Sequence, residues 1–246
     1  MAITVNKRRH NNPQRRLKCY FCQVRRLNLK TATVVFIVLI LSLDQISKIF
    51  IKTSFLLHED LEVFSWFKIA FVENDGMAWG TTLSDVFPFI PENRAKLILT
   101  LFRVIAVTGI GIWLYNELAK KKSKILICAI SMIFAGALGN ILDSVLYGIL
   151  FSDSSSEVAT FLPEGGGYAP LFYGKVVDMF HFPIWSGVIP ENIPILGGRY
   201  VSFFDPVFNV ADVAITTGIG ILILFNRRAF QGETKNDTSF SESHNS

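Results

Sequence analysis

The feature that most constrains this chain is a set of four apolar stretches, roughly residues 31–51, 96–115, 125–150 and 207–225. Each reaches about the 20 residues that a helix needs to cross a hydrocarbon core. Half of the 246 residues are hydrophobic and only 18% are charged, where a soluble domain has about a quarter charged. Mean hydropathy is +0.39. A fold of four transmembrane helices is the expectation.

Charge position fixes the orientation that the sequence predicts. Residues 1–30 hold Lys7, Arg8, Arg9, Arg15, Arg16, Lys18, Arg25, Arg26 and Lys30 and no acid. A second basic cluster, Lys120, Lys121, Lys122 and Lys124, separates the second and third stretches, and Arg227 with Arg228 follows the fourth. Lys and Arg concentrate in cytoplasmic segments. Four crossings then put both termini inside the cell and the long loops, about 52–95 and 151–206, outside. Residues 1–30 read as a basic cytoplasmic tail with affinity for anionic lipid rather than a nucleic-acid arm, because the tail runs straight into an apolar helix. The first stretch is long and carries Asp44 and Lys48, with no small-residue cleavage site, which predicts an uncleaved anchor. Cys19 and Cys22 lack the second ligand pair of a zinc site. Residues 229–246 are polar and read as a disordered tail. That leaves 31–228 as the folded domain.

The outer loops carry structure of their own. Residues 61–72 are rich in β-branched and aromatic side chains with partial alternation, predicting one or two strands, and Glu73, Asn74, Asp75 and Gly76 read as a turn. A small β-cradle over the outer membrane face is the economical arrangement. Residues 152–173, with Asp153, Glu157, Glu164 and a run of three glycines at 165–167, read as an exposed insertion. Trp66, Trp79 and Trp185 fall in outer segments, where an interfacial belt belongs.

Acids beside apolar runs are expensive and ask for a cause. Asp44 and Lys48 are four apart on one helix face and can neutralise each other. Small residues at 135–139 make a packing face on the third helix, and Asn140 and Asp143 point into the same seam. The fourth helix repeats the spacing with Asn209 and Asp212, the latter about five residues in from the start of its apolar run. Asp178, just ahead in the loop, can fold back over the same opening. Two carboxylates brought close can share one proton and activate water. Arg103, midway along the second stretch, is expected to pair with an acid of the bundle.

Taken in order, these residues form a pattern. Asp44, Gln45 and Lys48, then Asn74, Gly76, Met77, Ala78, Trp79 and Gly80, precede Gly136, Ala137, Gly139, Asn140 and Asp143. Val176, Val177, Asp178 and Met179 follow, and Phe208, Asn209, Ala211 and Asp212 close the series. From about residue 40 to residue 220 the chain resembles the bacterial lipoprotein signal peptidases (signal peptidase II). The resemblance implies an intramembrane aspartyl endopeptidase with Asp178 and Asp212 as its catalytic dyad. It implies support from Asn74, Asn140, Asp143 and Asn209, with Asp44 and Lys48 holding the first helix. It implies a diacylglyceryl-modified prolipoprotein substrate, cut just before its lipid-bearing Cys, in the bacterial cytoplasmic membrane with the active site at the outer face. No cofactor and no metal are implied, and the partners are substrate and membrane lipid, with the chain working as a monomer.

Three departures stand out: Ser144 where many members carry Arg, Trp79 where Phe is usual, and the 152–173 insertion. A rival class is a small transporter whose polar path uses Asp44, Lys48, Asp143 and Asp212. It predicts polar groups through the full bilayer depth, whereas the acids here cluster towards the outer helix ends. A structural membrane partner with no chemistry would leave Asp178 without a cause.

Overall fold

The computed structural model of the chain describes residues 28–75, 87, 89–120, 123–183, 185–188, 191, 198, 200–203 and 206–230, with the side chains at 185, 186 and 200–203 left out. Helices α1 (Leu29–Lys52) and α2 (Glu92–Ala119) flank α3 (Lys124–Leu142), which runs on through a π-helical turn at Asp143–Tyr147 to Leu150. Helix α4 (Val210–Leu224) ends in a short helix α5 (Asn226–Phe230). Strands β1 (Asp60–Phe64), β2 (Phe67–Asn74), β3 (Val176–His181) and β6 (Val207–Phe208) form one antiparallel sheet in the order β1-β2-β3-β6. Strands β4 (Trp185–Val188) and β5 (Tyr200–Phe203) make a separate pair.

Among the described residues three helices are long and apolar enough to cross a membrane: α1, α2 and α3 with its extension to Leu150. The fourth apolar stretch behaves differently. Its first residues, Val207 and Phe208, leave the helix to pair with β3, so α4 keeps only 15 residues. Asp212 therefore lies in the first turn of α4, not about five residues deep as the apolar run suggested. The residues of the basic tail up to 27, those after 230, and Trp79 lie outside the described residues, as do the Cys19–Cys22 pair and Gly76 of the expected turn.

Helix α3 is the hub, packing against α1, α2 and α4. Glycine makes the α3–α4 approach possible. A Cβ at Gly136 would run into the Ala211 carbonyl and lie 2.8 Å from Ile215 Cγ1, and one at Gly218 would lie 2.7 Å from the Ala129 carbonyl. Small residues let backbones approach where lipid supplies no hydrophobic drive between helices. Gly136→Ala is thus expected to destabilise by about 1–3 kcal/mol through overpacking. Thermal unfolding in detergent checks this, with Gly220→Ala as the control, since a Cβ there meets nothing within 4 Å.

Two apolar cores cap the bundle. One gathers Leu114, Leu126, Ile127, Ile130 and Ala229 where α2 ends and α3 begins. The other joins Ile51 at the end of α1 to Phe71, Tyr147, Phe151, Ala159, Val177 and Met179. That second core qualifies the sequence reading of 152–173 as an exposed insertion. Asp153, Glu157, Glu164 and the glycines at 165–167 are exposed as expected, but Ser154 and Ala159 are buried and Tyr168 packs against the same core. Lys52 accounts for this anchoring. Its ammonium is fully buried, paired with Glu73, bonded to Ser154 Oγ at 2.9 Å and 4.9 Å from the Tyr168 ring centroid. A buried ammonium must be paired and hydrogen-bonded; β2 supplies Glu73, and the inserted segment supplies Ser154 and Tyr168. Burial, the largest cause, with nearby acids including Glu73, raises the Tyr168 phenol, whose oxygen accepts from the Lys175 amide at 2.7 Å.

Candidate active site

The start of α4 is built by its own sequence. Asn209 is the N-cap: its Oδ1 accepts from the Asp212 amide at 3.0 Å, while Asp212 Oδ2 accepts from the Asn209 amide at 3.2 Å. This reciprocal capping box satisfies two of the orphan donors of a helix start. It also locks the Asp212 carboxylate in place. A third donor of the same turn, the Ala211 amide, is satisfied from outside by Asp44 Oδ1 of α1 at 2.9 Å.

Asp178 reaches the same point along the sheet. Register places Asp178 opposite Val72 and Phe180 opposite Ile69, so β2 carries an extra residue between the two pairs. Bulges of this kind re-aim side chains beside functional sites. Asp178 Oδ1 accepts from Asn209 Nδ2 at 2.6 Å, and Oδ2 accepts from Asn74 Nδ2 at 3.2 Å. Asn209 thus binds both acids at once, Asp178 through its amide nitrogen and Asp212 through the capping box.

Asn140 supplies the second link. Its Nδ2 donates to Asp212 Oδ1 at 3.0 Å, and its Oδ1 accepts from Asn209 Nδ2 at 3.1 Å and Lys48 Nζ at 2.8 Å. The lysine decides which way this amide faces, because an ammonium offers only donors. Below it lies a charge cluster. Lys48 also pairs with Asp44 Oδ2 at 2.9 Å and Asp143 Oδ2 at 2.8 Å, so each of its N–H groups has an acceptor. Gln45 Nε2 donates to Asp143 Oδ1 at 2.9 Å, and Gln45 Oε1 accepts from the Tyr147 hydroxyl at 3.2 Å.

The predicted residues therefore divide into two layers. Asp178, Asp212, Asn74, Asn140 and Asn209 share one network. Asp44, Lys48 and Asp143 form the layer that supports it, joined through Asn140. Ser144 is buried and carries no ion pair; its hydroxyl donates to the Asn140 carbonyl at 3.0 Å.

Sequence reasoning missed the clamp on Asn74. Its neighbours are tied to three elements: Glu73 to Lys52 of α1 and to Lys175, just before β3, and Asp75 to Lys96 of α2 at 2.6 Å. The available signal was spacing, since Asp44, Lys48 and Lys52 recur every four residues on one face of α1.

The electrostatics follow from burial. Asp178 is 4% exposed. Its carboxyl is pushed up to about 7, first by burial and then by the charge of Asp212, against the pull of the Asn74 and Asn209 bonds. At neutral pH this acid holds a proton for much of the time, beside a carboxylate it can share it with. Such a pair can give a proton to one atom while taking one from another.

Comparison with known proteins agrees with this architecture. A family model described as signal peptidase (SPase) II matches residues 36–227. A lipoprotein signal peptidase of Porphyromonas gingivalis is 44% identical over 190 residues, 76% of this chain and 79% of the relative. One from Amoebophilus asiaticus is 37% identical over 171 residues, 68% of this chain and 64% of the relative. A bacterial membrane enzyme solved by the in meso method shares the fold, with a TM-score of 0.51 at 22% identity, over 86% of this chain and 94% of that one. Family match, apolar helices and small open sheet lead to one statement: the chain belongs to the signal peptidase II family of membrane-embedded proteases.

Proposed function

We propose that this chain removes the signal peptide from diacylglyceryl-modified prolipoproteins, cutting before the lipidated Cys, with Asp178 and Asp212 as the catalytic pair. The observation that carries the reading is the Asn209 bridge, which ties both acids to one residue, Asp178 to its side-chain amide and Asp212 to its backbone amide. Asp178 holds the proton at rest, because it is the more buried of the two. Asp212 is the base. Its carboxylate accepts two hydrogen bonds at a helix N-terminus, where negative charge is favoured. Asp212 takes a proton from water as the water oxygen bonds to the scissile carbonyl carbon, and Asp178 gives its proton to the carbonyl oxygen. Collapse of that intermediate breaks the C–N bond as the proton on Asp212 goes to the leaving amine and a hydroxyl proton of the diol returns to Asp178, which restores the resting pair. Asn74, Asn140 and Asn209 hold the two carboxyl groups in register for this exchange.

The chain works in the bacterial cytoplasmic membrane as a monomer, with both termini inside and the acids at the outer face. The distribution of Lys and Arg between its loops supports that orientation. The test is cleavage of a lipidated precursor in detergent, with the unlipidated precursor alongside. A protease of this kind cuts the first before its Cys and leaves the second intact. Cleavage of both at equal rates would overturn the substrate assignment.

The protonated role of Asp178 fixes the sign of the pH dependence. A group that must be protonated loses function as pH rises through its pKa, so kcat/KM should fall above about pH 7. The Asn74 bond favours the ionised form. Asn74→Ala therefore moves this limb to higher pH while lowering the plateau, which a pH–rate profile reads directly.

A further inference from the structure

Arg103 has no part in the reading so far, yet it faces the same site. The buried stripe of α2 runs through Ala95, Thr100, Val107 and Leu114. Arg103 is three residues after Thr100 and four before Val107, which places it on that stripe. The outer end of the stripe lies beside Asn74, which donates to Asp178. One turn before Thr100, Lys96 pairs with Asp75 at 2.6 Å, next to Asn74, and the Thr100 hydroxyl donates to the Phe172 carbonyl at 3.2 Å. Helix α2 packs along α3, and among the described residues its contact with α4 is slight. Arg103 is half-buried, and the charges it interacts with are those of Asp212 first and Asp178 second. Its guanidinium makes no hydrogen bond or close ion pair among the described residues.

An arginine inside a membrane helix normally faces a partner or a functional path. Here five N–H donors stand ready, while each oxygen of the two carboxyl groups already accepts one hydrogen bond, from Asn74, Asn140 or Asn209. None of the roles given above to described residues is a hold on the substrate. We propose that Arg103 is a substrate-binding residue that donates to carbonyl oxygens of the lipidated precursor beside the scissile bond, while its charge balances the single negative charge of the aspartate pair. This rests on the dyad assignment above. A planar fork that is always charged suits this task better than an ammonium. The charge balance matters because the incoming segment is apolar and neutral. The other groups facing Asp212 are Asp178 from β3, Asn209 beside it, and Asn140 from α3, which Lys48 of α1 orients.

The carbonyl can come from the peptide backbone or from the glyceryl esters of the lipid. The experiment separates them. Full-length Arg103→Met and Arg103→Lys are purified in detergent, and kcat and KM are measured on a diacylglyceryl precursor peptide and on its dialkyl ether analogue, which has no ester carbonyl. Arg103→Met is expected to lose about 10- to 100-fold in kcat/KM, the value of a hydrogen bond to a charged group. Its pH profile should move to higher pH, because removing a positive charge favours the protonated acids. Thermal unfolding should be unchanged, and Arg103→Lys should recover part of the loss. If the loss is the same on both peptides, the backbone carbonyl is the ligand. If the ether analogue costs the wild type as much as Arg103→Met does, and the two losses do not add, the ester is the ligand.

Wild-type kcat/KM and pH profile in Arg103→Met would overturn the proposal, as would a loss that tracks lowered thermal stability with no recovery in Arg103→Lys. Asp178→Asn tells the two failures apart. An inactive Asp178→Asn beside a fully active Arg103→Met refutes the role of Arg103 alone, whereas an active Asp178→Asn refutes the dyad on which it rests.

Discussion

Asp178→Asn and Asp212→Asn each cut kcat on a lipidated precursor by roughly 10²–10⁴-fold, the contribution of one positioned acid or base, while the protein stays folded. The two substitutions keep shape, remove the capacity to exchange a proton and leave one acceptor oxygen in place of two. Asn at 178 can still accept from Asn209, and Asn at 212 can still accept the Asn209 amide to cap α4. The double variant should fall little further, because both acids serve one proton transfer and effects of residues acting as a unit do not add. Near-wild-type turnover by either single variant would remove that residue from the reaction.

Lys48→Met produces the largest loss of stability. The ammonium is fully buried and divides its donors among Asp44, Asp143 and Asn140. Removing it leaves two carboxylates facing each other in an apolar interior. Breaking a buried ion pair from one side costs about 3–5 kcal/mol, or some 6–20 °C in Tm for a chain of this size. Activity falls as well, since Asn140 loses one of the two donors that turn its Nδ2 towards Asp212. Adding Asp44→Asn and Asp143→Asn to Lys48→Met should restore much of the stability, because three neutral groups replace three charges. A Tm unchanged in the single variant would contradict the role given to this cluster.

Much of this site was legible in the sequence for a physical reason. An acid next to an apolar run has few excuses, and Asp44, Asp143, Asp178 and Asp212 each had to be paired or used. Spacing then fixed the faces: four residues between Asp44 and Lys48, three between Asn209 and Asp212. What spacing could not reveal was the function of the second interval. It is a capping box, a local feature whose geometry appears only once Val207 and Phe208 are known to be strand. Their apolar character fits helix and strand alike, so the run looked longer than the helix it contains.

The 152–173 segment was half legible. Its glycines and acids are exposed, as their polarity suggests, but it is anchored through Ser154 by Lys52, 102 positions earlier in the chain. A lysine at a helix end normally extends its ammonium to the interface. Only the tertiary fold brings Glu73, Ser154 and Tyr168 around it. Arg103 shows the converse. The sequence marked it as a charge in need of an acid, and the acids that face it are the two proposed to do the chemistry.

The most direct measurement is a crystal structure of the Asp178→Asn chain with an uncleaved diacylglyceryl precursor peptide bound. The account predicts the scissile carbonyl between residues 178 and 212, with the Asp212 carboxylate and the side chain at 178 each within about 2.6–3.2 Å of it or of one intervening water. A peptide lying elsewhere on the chain, or a scissile bond in reach of only one of the two side chains, would contradict it.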